Sequence, residues 1–261
     1  VGLVPSGVRQ LVQDGHEVFV QATAGEGIGI SDDMYIEAGA KITPTLEDTF
    51  AAGEMIIKVK EPQPVEIALL KPHHILYTYL HLSADKELTQ GLMDSGATCI
   101  AYETIQFPDG SLPLLVPMSE VAGRMATQVG AMCLQKDKGG KGLLLGGVPG
   151  VHRAKVTVIG CGIAGTNATK MAMGLGADVT CIDLNTKRLA EMDDLFDNRI
   201  TTLFSNTQNI EEAVINSDLV IGAVLVPGAK APKLVTKDMI SKMENGSVVV
   251  DIAVDQGGCI E

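Results

Sequence analysis

The chain has 261 residues, with 20 lysines and arginines against 32 aspartates and glutamates, for a formal charge of −12. That acidity excludes a broad nucleic-acid or anionic-membrane surface, because neutralising phosphates takes a concentrated cationic face; a local basic pocket stays open. Hydrophobic residues make up 46% of the chain, enough for a substantial core and too many for a disordered chain. Four tyrosines, five phenylalanines and no tryptophan beside 29 glycines leave that core to aliphatic side chains, which suits helices packed on parallel strands. No apolar run approaches the ~18 residues that cross a bilayer, and no basic-then-apolar leader precedes the first segment, so a cytosolic protein of one large or two modest domains is expected. The chain opens at Val1 inside an ordered-looking pattern and stops at Glu261 just after a strand-like run, the pattern of a piece trimmed from something longer.

In chain order, strand-like runs are read at residues 18–20, 55–59, 75–79 and 98–101, each short and β-branched or apolar. Helices fall between them. Ser6 is read as the cap of a helix ending at Gly15; Ser31-Asp32-Asp33 opens a second; Pro44 and Thr45 precede a third over 46–52; a fourth spans 84–93, before Asp94-Ser95-Gly96. After the proline-rich stretch 107–113, a long helix is expected from Pro117 to near Gln135, because Val121, Met125, Val129 and Met132 recur at helical spacing. It would serve as a strut between domains. Residues 136–142, Lys-Asp-Lys-Gly-Gly-Lys-Gly, read as a solvated, flexible loop. Strands then resume at 156–159, 179–182, 219–222 and 248–252. This alternation makes the protein α/β, with crossover connections and mostly parallel sheets. The cysteines, Cys99, Cys133, Cys161, Cys181 and Cys259, are dispersed and odd in number, which favours buried thiols over disulfides or zinc.

The sharpest motif is Gly160-Cys161-Gly162-Ile163-Ala164-Gly165, a G-x-G-x-x-G directly after the buried strand 156–159 and opening a helix. Gly160 permits the tight turn, Gly162 lets backbone amides approach a pyrophosphate, and Gly165 lets helix and strand pack closely. The anion would rest on the helix N-terminus. Glycine-rich turns often serve packing alone, so a second signal is needed. Asp183 ends the next strand, 18 residues beyond Gly165, near the spacing of an acid that grips a ribose 2′-hydroxyl and repels a 2′-phosphate. The reading is NAD rather than NADP.

Ligands of open α/β sheets bind beyond the carboxyl ends of the strands. Lys60 follows the run 55–59, His81 follows 75–80, and Asp255 lies just past 248–254. Each has a structural alternative: a solvated strand exit, a hydrogen-bonded structural imidazole, a turn-former before Gly257. Together they make a chemically coherent set. A hydride transfer needs a proton exchanged at a neighbouring heteroatom, which suits a histidine; a lysine can hold a carboxylate or polarise a carbonyl; an aspartate can balance developing positive charge. His16, His73, His74 and His152 receive no role, and no cluster has metal-ligand spacing, so no metal is expected.

Longer blocks carry a resemblance. With Lys58-Val59-Lys60-Glu61-Pro62, Tyr79-Leu80-His81-Leu82, Pro117-Met118-Ser119-Glu120-Val121-Ala122-Gly123-Arg124, Gly146-Gly147-Val148-Pro149-Gly150-Val151, Gly222-Ala223-Val224-Leu225-Val226-Pro227-Gly228-Ala229-Lys230-Ala231-Pro232 and Asp251-Ile252-Ala253-Val254-Asp255-Gln256-Gly257-Gly258 in order, the whole chain resembles the alanine dehydrogenase/pyridine nucleotide transhydrogenase family. The resemblance implies reversible oxidative deamination of L-alanine to pyruvate and ammonia with NAD, in a cytosolic homohexamer. It implies two Rossmann-like parallel-sheet domains joined by a long helix, here a substrate domain over 1–118 and an NAD domain over 119–261. His81 and Asp255 match the family's catalytic pair and Lys60 its substrate-binding lysine. Ser119, Ile163, Ala164, Asp183, Arg188, Ser205, Val224, Leu225, Ile252, Ala253, Val254 and Asp255 match NAD-contacting positions, with Arg188 near the adenosine phosphate or ribose or else an exposed helix charge. The family carries a strand and a carboxylate-binding arginine before the segment matching residues 1–5, and it continues past the point matching Glu261. The substrate domain is therefore expected to be incomplete at both chain ends. Rival readings are a transhydrogenase-type nucleotide-binding component and a non-catalytic NAD-binding fragment.

Overall fold

The structure of the protein, a computed structural model, describes residues 1–224, 231–254 and 257–261. Its contacts divide the chain into Val1–Asp109 and Gly110–Glu261.

In the first unit the elements are α1 (Pro5–Gln13), β1 (Phe19–Gln21), α2 (Asp32–Glu37), β2 (Lys41–Thr43), α3 (Leu46–Ala52), β3 (Met55–Ile57), α4 (Pro64–Ile67), β4 (Ile75–Thr78), α5 (Lys86–Ser95) and β5 (Thr98–Ala101). All strand pairs are parallel: β1 with β2, and β3-β4-β5 in that order, with Met55 beside Ile75 and Ile75 beside Thr98. Each crossover carries a helix, as parallel pairing requires. Phe50, Leu70, Leu76, Leu80, Leu88 and Leu92 fill the core against the three-stranded sheet. Val8, Tyr35, Ala38 and Ala40 form a second cluster by the β1–β2 pair.

Local signals explain most helix starts. Ser31 accepts the Met34 N–H and Thr45 accepts that of Asp48. Ser6, however, caps nothing: Val4 occupies the N-cap position and Pro5 opens α1, since proline needs no N–H partner in a first turn. The fourth expected helix also starts later, at Lys86, because the Asp85 carboxylate accepts the Leu88 N–H and turns residues 82–84 into a separate 3₁₀ turn.

The second unit contains α6 (Val116–Cys133), β6 (Lys155–Ile159), α7 (Ile163–Gly174), β7 (Asp178–Asp183), α8 (Thr186–Leu195), β8 (Thr201–Phe204), α9 (Thr207–Ile215), β9 (Leu219–Gly222), α10 (Lys237–Ser241) and β10 (Val248–Asp251). One parallel sheet runs β10-β9-β6-β7-β8, with Val158 flanked by Cys181 and Ile221. The chain leaves β6 in one direction through β7 and β8 and returns on its other side through β9 and β10. The crevice between β6 and β9 is thus the topological switch point, where such sheets bind ligands.

Helix α6 is the expected long helix, presented with an unexpected face. It lies wholly within this unit and buries Gly123, Ala126, Thr127 and Gly130, with Gly123 and Thr127 against α7 and Gly130 against Leu219 of β9, while Val121, Met125, Val129 and Met132 are exposed. Small residues govern the approach: a Cβ at Gly123 would stand 2.1 Å from the Ala164 carbonyl oxygen.

The lysine-rich stretch 136–142 is anchored rather than free. Lys141 donates to the carboxylates of Asp218 and Glu244, and Asp218 also accepts the Lys155 N–H at 2.8 Å. Burial opposes the ammonium charge, but the bonds to Asp218 and Glu244 outweigh it and raise the Lys141 pKa. That tie is therefore complete at neutral pH and is lost only as alkaline pH passes the raised value. No helix among the described residues is long and apolar enough to cross a membrane.

Candidate active site

Strand β6 ends in the glycine turn, and each glycine has a distinct physical reason. Gly160 has φ +97°, and a Cβ there would meet the Ala223 carbonyl oxygen at 2.7 Å. At Gly165 a Cβ would fall 1.8 Å from the Gly160 carbonyl oxygen, so the first turn of α7 closes only without a side chain. Around Gly162, the N-cap of α7, nothing lies within 4 Å of where a Cβ would point. The first two glycines are required by packing; the third faces open space at a helix N-terminus.

That space is part of a cavity of about 560 Å³ at the carboxyl ends of β6, β7 and β9. Of the residues predicted to hold the cofactor, Ser119, Gly160, Gly162, Ile163, Ala164, Asp183, Ser205 and Val224 line it. Ser111, Leu112 and Pro232 also line it, and no sequence signal had singled them out. Asp183 does more than face the cavity: Oδ2 accepts the Cys161 N–H at 2.7 Å and Oδ1 accepts the Asn185 N–H at 2.8 Å. It thereby ties the glycine turn to the end of β7, and Ser205 N–H donates to its carbonyl.

Several predicted residues sit elsewhere. Gly165 lies beneath the turn. Arg188 lies outside the cavity lining, and its guanidinium donates to the Cys161 carbonyl (2.8 Å), Thr166 Oγ1 (2.7 Å) and Glu191 (2.8 Å). It clamps the turn onto α7. Ile252, Ala253 and Val254 follow β10, also off the lining; Asp251 accepts the N–H groups of Ala253 and Ile260 and so folds this segment back. Leu225 and Asp255 lie outside the described residues. The Cys161 thiol hydrogen-bonds Cys181, and that bond together with burial pushes its pKa up. It is a buried, protonated thiol rather than a nucleophile.

In the first unit, Lys60 and His81 sit at the exits of adjacent strands β3 and β4, as expected. Main-chain pairing continues past the strands, with Tyr79 N–H donating to Val59 O and Thr78 Oγ1 donating to the Lys60 carbonyl at 2.9 Å. Between the two side chains lies Glu61: its Oε2 is 3.5 Å from Lys60 Nζ and 3.9 Å from His81 Nδ1. His81 has φ 48° and ψ 39°, a left-handed conformation that costs a non-glycine residue about 1–2 kcal/mol. What holds it is Glu103, from the turn after β5, whose carboxylate accepts the N–H of Leu80 at 3.1 Å and of His81 at 2.7 Å. Two part-buried hydrogen bonds to a charged acceptor offset that strain. Tyr102 stacks edge-on against Tyr77 and Tyr79; burial, then the two neighbouring phenols, push its pKa up to about 12. Burial and then Glu103 raise that of Tyr79. The wall of this turn stays uncharged and protonated.

Glu61 and Glu103 escaped the sequence reading, though both lie at strand exits, where the rule that found Lys60 and His81 applies equally. Their roles depend on which strands are neighbours, which spacing does not reveal. His74 behaves as a structural histidine: it is buried, and Nδ1 accepts the Lys71 N–H. No group of His, Cys, Asp and Glu among the described residues is arranged to hold a metal.

Comparison with known proteins agrees with this architecture. Residues 1–122 match the family model for the alanine dehydrogenase/PNT N-terminal domain, and residues 126–261 match that for the C-terminal domain. The whole chain is 58% identical to an alanine dehydrogenase of Halomonas elongata and 60% identical to one of Staphylococcus epidermidis, spanning 70% of the length of each. A solved L-alanine dehydrogenase shares 52% identity at a TM-score of 0.93, covering all of this chain and 72% of that one. A transhydrogenase from Sinorhizobium meliloti shares 30% at a TM-score of 0.83, over all of this chain and 76% of its own. On a glycine turn at the switch point of one sheet, a lysine and histidine at the exits of another, and this extent of identity, the chain belongs to the alanine dehydrogenase/PNT family.

Proposed function

We propose that this protein is an NAD-dependent alanine dehydrogenase that interconverts L-alanine with pyruvate and ammonia. The observation that carries the reading is the end-to-end identity with alanine dehydrogenases, joined to a lysine and a histidine presented side by side at adjacent strand exits. The glycine turn fits a dinucleotide: open space at Gly162, at the N-terminus of α7, suits a pyrophosphate, and Asp183 stands at the end of β7 where a ribose hydroxyl would be gripped. Bound NAD would accept the hydride leaving the amino acid's Cα.

The chain's own residues supply the rest. The Lys60 ammonium, two-thirds exposed at 67%, pairs with the substrate carboxylate and fixes which face of Cα is offered. Loss of hydride from Cα of the neutral amine leaves an iminium ion, and water adds at its carbon. His81 takes the proton from that water and returns it to the departing amine, work suited to an imidazole near neutral pH. Asp255 is assigned to balancing the positive charge of the iminium. The proposal includes domains over 1–118 and 119–261, a homohexamer and a cytosolic location, as the family resemblance suggests.

NADH absorbance should grow when the protein is mixed with NAD and L-alanine at alkaline pH, and to a far smaller extent with NADP. NADH oxidation driven by pyruvate and ammonia should mirror it. Cofactor binding without turnover in either direction would instead mark a non-catalytic nucleotide-binding module, and hydride passing between two nucleotides a transhydrogenase component. Asp183→Ser removes the carboxylate that repels a 2′-phosphate. The ratio of kcat/KM for NADP to that for NAD should rise by about tenfold or more, measured by initial rates with each nucleotide; an unchanged ratio assigns cofactor choice elsewhere.

A further inference from the structure

Oε2 of Glu61 is buried and accepts no hydrogen bond from any described group. An anionic oxygen withdrawn from water without a donor is costly unless opposite charge lies close. Here two candidates do: the Lys60 ammonium at 3.5 Å and the His81 ring at 3.9 Å. Both are residues of the proposed chemistry, and among the described residues Glu61 is the charged partner of each side chain. The His81 backbone is set by Glu103, whose carboxylate is 2.7 Å from His81 N, but the ring itself meets Glu61 through Nδ1. Tyr79, on the same turn, places its ring centroid 6.1 Å from that of His81.

We propose that Glu61 is a positioning residue for the reaction: its carboxylate, set between Lys60 and His81, keeps the proton of neutral His81 on Nδ1 and leaves Nε2 as the nitrogen that exchanges a proton with substrate. This rests on the functional reading above. The same anion screens the two cations from each other when His81 is protonated. Lys60, exposed and tied to Glu61 by charge alone, can turn to a substrate carboxylate while the Glu61 carboxylate stays beside His81 Nδ1, 3.9 Å away and near enough to close to a hydrogen bond by a small ring movement. Among the described residues, Glu61 is the charged group that meets the imidazole, with Lys60 against the same carboxylate oxygen and Glu103 bound to the His81 backbone N–H.

The test uses the full chain and does not depend on turnover. Nitrogen-15 shifts of the His81 ring, assigned by their disappearance in His81→Asn, report the tautomer directly. At alkaline pH the proton should sit on Nδ1; a ring protonated mainly on Nε2 overturns the proposal. In Glu61→Gln, of the same size but uncharged, the fraction of neutral His81 protonated on Nδ1 should fall, and kcat should fall with it while KM for alanine changes little. Glu61→Asp keeps the charge but withdraws it by one methylene, so it should show a smaller fall in the same direction. It is also the working variant if Glu61→Gln does not fold. A His81 tautomer unchanged in folded Glu61→Gln overturns the proposal. The expected tautomer in the wild type and its loss in Glu61→Gln, but no NADH from alanine, would refute the functional reading and leave the Glu61–His81 pairing intact.

Discussion

His81→Asn is expected to lower kcat for alanine oxidation by about 10²–10⁴-fold, the usual contribution of a positioned acid–base group, while leaving NAD affinity unchanged. Asparagine is chosen for a structural reason. His81 occupies the left-handed region at φ 48°, which asparagine tolerates better than most residues. The backbone N–H that Glu103 accepts is retained. The turn should therefore survive with only the imidazole removed, and thermal melting should confirm a folded protein. Steady-state rates with saturating NAD and L-alanine, beside a fluorescence titration of NADH, separate chemistry from cofactor binding. If kcat stays within about threefold of the wild type, too small a loss for a proton-transfer group, His81 is not the acid–base residue. Loss of NADH affinity alongside rate would mean that the variant had disturbed more than the ring.

The second large effect is expected at Gly165, and its force comes from comparison with Gly162. Alanine at 165 would bring a Cβ to 1.8 Å from the Gly160 carbonyl oxygen, a backbone atom that cannot step aside. Either the turn opens or α7 backs away from the sheet. A destabilisation of about 3 kcal/mol, at the upper end for overpacking, should accompany a loss of NAD affinity of about tenfold or more. Alanine at 162 meets nothing within 4 Å, and its φ of −66° is ordinary. Stability should then stay within about 0.5 kcal/mol, as for unstrained surface changes, while NAD binding weakens because the new methyl fills space meant for phosphate. Denaturant melts with calorimetric binding separate the two. Equal stability loss in both variants, or unimpaired NAD binding by Gly162→Ala, would show that the turn does not cradle the pyrophosphate.

Much of this arrangement was readable from residue order. The strands Lys155–Ile159 and Leu219–Gly222 were clear because buried parallel strands are short, continuous apolar runs. The short strands β2 and β8, at Lys41–Thr43 and Thr201–Phe204, were not, since neither is apolar enough to announce itself and both form through pairing with a neighbour. The helix over Val116–Cys133 was legible as a helix, yet its packing face was not. Val121, Met125, Val129 and Met132 are exposed, and the contact is made by Gly123 on α7 and Gly130 on Leu219 of β9. Periodicity reports where bulk lies on a helix, whereas close approach to α7 favours the absence of bulk. Lys141 was misread for a related reason: a lysine in a glycine-rich stretch looks solvated until Asp218, 77 residues on, is brought beside it.

The sequence by itself determined the chemistry on offer: a dinucleotide turn whose glycine spacing encodes its own geometry, an acid at the next strand end, and a lysine and histidine at strand exits. These are local properties, set by backbone sterics and by side chains within a few residues of one another. Only the tertiary structure decided how those groups are held. It put Glu61 between Lys60 and His81, used Glu103 to fix the left-handed turn at His81, and turned Arg188 onto the glycine loop instead of the cavity. Those partnerships join strand exits, turns and helices that meet only when the parallel sheets assemble, so the physics that selects them, burial and pairing of charge, has no counterpart in linear order.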